Sequence, residues 1–352
     1  MSERVAPTDR AAALEARLSV FSDAVDRHMR QVLERAELPD DLVGMVSYHL
    51  GWVDEAFQPT DAPRGKRLRP ALCLLVCEAA GGDWQAALPA AAAVELVHNF
   101  SLIHDDIEDD SPLRRHRPTL WAVWGVPRAL NAGDTLLILA QLTVFGTDAV
   151  DQRQWTAARL LNRACVELCA GQHRDLSVAA ATEPTLAGYL RMIEGKTAAL
   201  LRVAAELGAL AAGASEPQRE AYGRFGRALG LAFQFQDDWL DVWGDAAATG
   251  KPAREDLRTR KHSLPFVLAC ERAPTPLRGR LRRVYAQDGP LDDAVVDDLV
   301  AVLNDLSVRA EAERLVRHHY DAALSALHAA SPPPEGAALL ECLAASLIGR
   351  QA

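Results

Sequence analysis

Two stretches hold most of the residues that could do chemistry. The first is His98-Asn99-Phe100-Ser101-Leu102-Ile103-His104-Asp105-Asp106-Ile107-Glu108-Asp109-Asp110, an apolar run leading into five carboxylates in six positions. If it is helical, His98, Leu102, Asp105 and Asp109 share one face, because residues three, four and seven apart line up. The second is Phe233-Gln234-Phe235-Gln236-Asp237-Asp238-Trp239-Leu240-Asp241, where Gln234, Asp237, Asp238 and Asp241 form another polar stripe. Like charges at such spacings repel and need cations to hold them. Mg²⁺ is the hard, oxygen-seeking ion that carboxylates and phosphates share. A single acidic stripe is most often a solvated face. Two of them, each ending a long apolar helix, point instead to carboxylate–Mg²⁺–phosphate chemistry.

Cations accompany the acids. Arg64-Gly65-Lys66-Arg67-Leu68-Arg69-Pro70 stands at the start of an apolar helix, where the macrodipole disfavours positive charge. It reads either as a solvated basic turn or as an anion site built from Lys66, Arg69 and helix amides. Ser111-Pro112-Leu113-Arg114-Arg115-His116-Arg117 follows the first acidic cluster directly. It is either mutual surface neutralisation or a set of guanidinium forks for phosphate oxygens. Lys196, in Glu194-Gly195-Lys196-Thr197, either snorkels to water or meets a phosphate. Gly195 in mid-helix marks a kink or a close approach, at a cost of about 1 kcal/mol relative to alanine. His98 is either a satisfied core histidine or, two turns before Asp105, a ligand contact.

Helices must position these groups. Alanine and leucine dominate and strand-type runs are scarce, which favours an all-α fold. After a frayed start over residues 1–12, the periodicity predicts helices at about 13–36, 42–58, 71–80, 88–103, 135–150, 155–179, 189–212 and 216–241. Residues 121–128 read as turn-like, Asn131-Ala132-Gly133-Asp134 as a cap, and 135–150 as apolar on nearly all sides and therefore central. Gln172 and Asp175 are neighbours on one face of 155–179. The polar stretch 244–262 reads as a loop able to close over a site. Amphipathic helices fill the rest, with Pro332-Pro333-Pro334 as a linker.

The net charge of −10 argues against nucleic acid as a partner. The six cysteines read as small buried side chains in a reducing compartment. Met1-Ser2-Glu3-Arg4 begins no signal peptide, and apolar runs such as Leu136–Phe145 are too short to span a bilayer. A cytoplasmic protein without a membrane span is expected.

Together these motifs resemble the trans-isoprenyl diphosphate synthase (polyprenyl synthetase) family. Its Asp-Asp-x-x-Asp motif matches Asp105 to Asp109, and its Phe-Gln-x-x-Asp-Asp-x-x-Asp motif matches Phe233 to Asp241. Gly65 to Pro70, Arg114-Arg115, Lys196-Thr197 and Gly250-Lys251-Pro252 match its Gly-Lys-Arg-x-Arg-Pro, Arg-Arg, Lys-Thr and Gly-Lys-Pro motifs. The likeness covers about 63–265, with C-terminal helices over 266–352. It implies one all-helical domain over 1–352, an orthogonal bundle of long helices around a central active-site cavity (the isoprenoid synthase fold). It also implies Mg²⁺, three ions per site, held by Asp105, Asp109, Asp237 and Asp241 with Asp106 and Asp238 assisting. Arg114, Lys196, Thr197, Gln234, Lys251 and Lys261 would contact an allylic diphosphate; Lys66, Arg69, His98 and Arg115 would bind isopentenyl diphosphate. One departure leaves the closing loop's shape open. The family often has glycine two places after Gly-Lys-Pro, where Arg254 stands here, followed by Glu255 and Asp256.

The resemblance implies a condensing prenyltransferase and a homodimer. Phe100 and Ser101 lie five and four residues before Asp105, roughly 6–8 Å down a helix from the acids. Phe100 is either an ordinary core residue or the floor that limits product length. An aromatic at that place resembles geranylgeranyl-type synthases, so a twenty-carbon product is expected, with farnesyl diphosphate next. A class I terpene cyclase and a regulatory subunit are the other readings. The second cation set argues against the former, and retention of both acidic motifs against the latter.

Overall fold

The computed structural model describes residues 7–60, 62–63, 65–146, 151–178, 184–245, 253–287 and 289–349. They are almost entirely helical, as expected, and fall into two compact units. Unit 1 comprises residues 1–165, 203–222 and 331–340; unit 2 comprises 166–202, 223–330 and 341–352.

In unit 1, α1 (Pro7–Arg35), α2 (Asp40–His49), α3 (Leu68–Ala79) and α4 (Leu88–Glu108) precede a two-residue hairpin, β1 (Leu113–Arg114) and β2 (Arg117–Pro118). Then come α5 (Leu120–Trp124) and α6 (Val126–Phe145). The core runs along α4, where Ala91, Ala92, Ala93, Val94, Leu96 and Val97 are buried. Small side chains there let neighbouring backbones approach, while each buried valine or leucine contributes about 1.5–3 kcal/mol.

Several sequence expectations are corrected. Helix α1 begins at Pro7 rather than after residue 12, and α2 ends at His49 rather than near Gln58. The chain turns at Gly51 and forms a bridge between Val53 and Pro59. Helix α4 continues through the acids to Glu108. The residues read as turn-like contain α5 and the start of α6, with the break at Gly125 (φ 83°). Asn131–Asp134 is therefore helix interior, not a cap. Gly133 is a packing glycine: a Cβ there would sit 2.4 Å from the His104 ring. Nor is α6 apolar-buried all round, because Val126, Leu130, Ile138 and Leu142 are exposed, the last two by 58% and 59%. The stretch Trp84–Glu108 is long and apolar enough to cross a membrane, which the sequence reading passes over; most of it is buried inside the protein, as in a core helix.

In unit 2 the later part of α7 (Gln152–Val178) is followed by α8 (Leu186–Ile193), a π-helical turn (Glu194–Ala198) and the start of α9 (Ala199–Ala211). Most of α10 (Glu216–Trp243) and α11 (Glu255–Arg258) come next. The nearly all-buried α12 (Leu264–Arg272) is followed by α13 (Thr275–Tyr285), α14 (Asp293–Asp305), α15 (Val308–Ala329) and the later part of α16 (Pro334–Ile348). Its core gathers Tyr189, Phe235, Leu264, Phe266, Leu268, Leu303 and Leu315. Glycines 171 and 195 make the close approach anticipated at Gly195: a Cβ on Gly195 would lie 2.4 Å from the Glu167 carbonyl, and one on Gly171 2.2 Å from the Lys196 nitrogen. Cys73, Cys77, Cys165 and Cys270 are buried as expected, whereas Cys169 is exposed.

Candidate active site

The candidate residues of unit 1 are organised by a cation that was not singled out from the sequence. Arg67, at φ 44°, ends the turn before α3 and turns its guanidinium inward. It pairs with Glu95 at 2.7 Å and with Asp26 at 2.9 Å, all three buried. Asn99 adds a hydrogen bond to Glu95 at 3.0 Å. This paired cluster fixes the Gly65–Pro70 turn onto α4 and so places Lys66 and Arg69 on either side of it. Arg69 Nη1 lies 3.2 Å from His98 Nε2. Burial, then the charges of Arg69, Arg115, Arg114 and Arg67, push the His98 imidazolium pKa well below its usual value. His98 is therefore neutral and accepts from Arg69 through Nε2. Arg69 Nε is buried and has no protein partner.

The hairpin after α4 turns through Arg115 and His116, both at positive φ (52° and 63°). Two such residues give a twist that matches the strands. Asn-Gly is the usual pair, so nothing in Arg-His announces the hairpin. The turn lays the Arg115 guanidinium against Gly65, where a Cβ would come within 2.7 Å of Nη2. Arg114 reaches back to Asp106, with both Nε and Nη2 at 2.7 Å from Oδ1. Asp106 is buried, and burial raises its pKa to about 6 despite Arg114. Asp105 is partly exposed and Asp109 exposed. Phe100 is buried and packs edge-on against the His104 ring, centroids 4.8 Å apart; the Ser101 hydroxyl donates to the His98 carbonyl.

Unit 2 repeats the design. Asp238 is buried and accepts from the Tyr189 hydroxyl (2.6 Å), the Leu264 amide (2.8 Å) and Gln234 Nε2 (2.8 Å). Burial, and next the charge of Asp256, raise its pKa to about 6. Thr197 donates to Gln234 Oε1 at 2.8 Å, so Thr197, Gln234 and Asp238 form one chain of hydrogen bonds. Lys196 pairs with Asp175 at 2.6 Å. Lys261 lies 3.7 Å from Asp256. Burial opposes its charge, but Asp256, Asp238, Asp175 and Asp237 outweigh burial and raise its ammonium pKa. Asp237 and Asp241 are partly exposed. Asp256 donates its amide to Asp241 Oδ2 at 3.1 Å. Tyr189 was missed from sequence, and Asp256 was named there without a role. A lone tyrosine two helices away from an acid it serves leaves no local signal. Lys251, with Gly250 and Pro252, lies outside the described residues.

Each unit thus shows a buried central aspartate held by protein donors, flanked by less buried aspartates and backed by cations. Carboxylate oxygens in such sets suit Mg²⁺, and lysines and arginines beside them suit phosphate oxygens. Among the described residues, no three acidic, histidine or cysteine side chains are gathered closely enough to hold a metal by themselves. Residues 51–303 match the sequence model of the polyprenyl synthetase family. The chain belongs to the polyprenyl synthetase family. Its relatives include a (2E,6E)-farnesyl diphosphate synthase from Mycobacterium bovis, 40% identical over 95% of this chain and 90% of the relative. A geranylgeranyl diphosphate synthase from Mycobacterium tuberculosis is 39% identical over 89% of each. Among solved structures, a polyprenyl synthetase from Streptomyces coelicolor A3(2) superposes with a TM-score of 0.87 at 33% identity, covering 95% of this chain and 99% of that one. This polyprenyl synthetase is a trans-prenyltransferase that makes short-chain prenyl diphosphates, and its fold is the all-α isoprenoid synthase fold.

Proposed function

We propose that the protein condenses isopentenyl diphosphate with an allylic diphosphate to give mainly geranylgeranyl diphosphate, releasing diphosphate in a Mg²⁺-dependent reaction. The observation that carries this is the repeated arrangement in the two acidic motifs. Asp106 and Asp238 are anchored by Arg114 and by Tyr189 with Leu264, respectively. Asp105, Asp109, Asp237 and Asp241, less buried than these two, would hold Mg²⁺. When bound, Mg²⁺ supplies positive charge that stabilises a departing diphosphate.

The chain's own residues do the rest. Lys196, Thr197, Gln234, Arg114 and Lys261, together with Lys251, orient the allylic diphosphate. Lys66, Arg69, Arg115 and His98 bind the isopentenyl diphosphate. His98, neutral and accepting from Arg69, aims that guanidinium rather than adding charge of its own. Apolar surroundings keep water from the allylic cation formed when the C–O bond breaks. The double bond of isopentenyl diphosphate attacks that cation, and the released diphosphate takes the proton lost afterwards.

Phe100 sets product length in this reading: it stands one helical turn before the acids and is braced by His104. The two relatives named above are a farnesyl and a geranylgeranyl diphosphate synthase at nearly equal identity to this chain, so identity favours neither product and the twenty-carbon reading rests on Phe100. Radiolabelled isopentenyl diphosphate given with geranyl or farnesyl diphosphate is expected to yield the twenty-carbon product. Phe100→Ala is expected to lengthen it by at least one five-carbon unit. Unchanged length in that variant removes Phe100 as the floor. The exposed stripe Val126, Leu130, Ile138 and Leu142 on α6 supports the expected homodimer, since apolar side chains repeating at this spacing favour burial against a second copy.

A further inference from the structure

The segment after the second acidic motif departs from the family pattern at Arg254, and the structure shows what this does. Arg254 adopts φ 62° and ψ 29°, a left-handed conformation that side chains other than glycine disfavour. The backbone therefore keeps the shape a glycine would give it. In that shape the Arg254 amide donates to the Asp241 carbonyl at 2.7 Å, and the Asp256 amide donates to Asp241 Oδ2 at 3.1 Å. Lys261 donates its amide to the Asp256 carbonyl at 2.8 Å. The backbone of residues 254–261 thus sets both the position and one carboxylate oxygen of Asp241.

What holds that segment lies outside the motif. Arg254 pairs with Asp297, and Arg258 with Asp293 at 2.7 Å. The two arginines are four residues apart on the segment, and the two aspartates four apart on α14. The pairs therefore form two rungs of one charge ladder. Beside the second rung, on the side away from the first, the Leu291 amide donates to the Arg258 carbonyl at 2.9 Å. Single exposed ion pairs contribute little. Two on one register, with a backbone bond at one end, resist sliding as well as separation.

We propose that Arg254, Arg258, Asp293 and Asp297 act as positioning residues, locking the segment on α14 so that Asp241 is presented to the cation. This rests on the cation-holding role of Asp241 given above. In Asp293→Asn/Asp297→Asn the rungs lose their charge at exposed positions. Amide hydrogen exchange at Arg254 and Asp256 in the metal-free protein is expected to quicken roughly three- to tenfold. The Mg²⁺ concentration for half-maximal turnover is expected to rise by a similar factor, with the KM for isopentenyl diphosphate unchanged. Arg254→Asp alone should behave likewise, and Arg254→Asp/Asp297→Arg, which reverses the rung, should restore both readouts. Unchanged exchange and Mg²⁺ response in the double asparagine variant would overturn the proposal. So would a reversed rung no better than Arg254→Asp. Wild-type turnover that needs no divalent cation would overturn the role of Asp241 instead, an outcome separate from the exchange result, which reads the ladder alone.

Discussion

At the scale of single residues, the division of labour among neighbouring charges is the main finding. Arg67 looks in the sequence like one more cation in a basic run. In the structure it is buried between Glu95 and Asp26. Removing one member of a buried charged set leaves the others unpaired, which costs about 3–5 kcal/mol. Arg67→Ala should therefore unfold at markedly lower denaturant, whereas Lys66→Ala should keep its stability and lose affinity for isopentenyl diphosphate. Matched denaturation and kinetic series on the two variants would check this. Asp238 yields a pH prediction. Its folded pKa, about 6, is above the ordinary value of 3.8. The folded state then binds the extra proton between those values, so the stability tied to that proton is present below about pH 4 and lost as pH rises through 6. In metal-free protein, the melting temperature of wild type relative to Asp238→Asn should fall between pH 4 and 6; parallel curves would refute the assignment. The acidic and basic motifs were legible because their chemistry is unusual in apolar helices. The buried roles of Arg67, Asp106 and Asp238 were not, because inward and outward aspartates read alike in sequence.

At the scale of elements, glycine placement positions the site. The Gly171–Gly195 approach brings α7 against the π-helical turn, and Lys196 meets Asp175 there. Gly195→Ala would force a methyl group toward the Glu167 carbonyl, costing about 1–3 kcal/mol through overpacking. A lower melting temperature and a raised KM for the allylic substrate are the expected outcomes, and an unaltered KM would show that Lys196 does not depend on this contact. The helical periodicity gave element type well and element ends poorly. Gly125 splits α5 from α6 where the sequence suggested a cap at Asn131. The hairpin at Arg115-His116 carries no glycine or asparagine to signal it. Around both places close tertiary contacts form, His104 on Gly133 and Arg115 on Gly65, that no local propensity announces.

At the scale of the whole molecule, the helical content followed from composition and spacing, whereas the bundle architecture came from the family resemblance. The exposed face of α6 followed from neither: the sequence reads it as apolar on all sides, and only packing shows which side is left uncovered. Ile138→Glu on that face should shift the protein from dimer to monomer in sedimentation, with helix content unchanged; a wild-type protein that sediments as a monomer would contradict the homodimer. The central claim is that both acidic motifs serve one Mg²⁺-dependent condensation ending at twenty carbons. The most direct measurement is product analysis of the purified protein with radiolabelled isopentenyl diphosphate and farnesyl diphosphate, with Mg²⁺ and after chelation. The account predicts geranylgeranyl diphosphate with Mg²⁺ and no incorporation after chelation. Incorporation that survives chelation, or none under either condition, would contradict it.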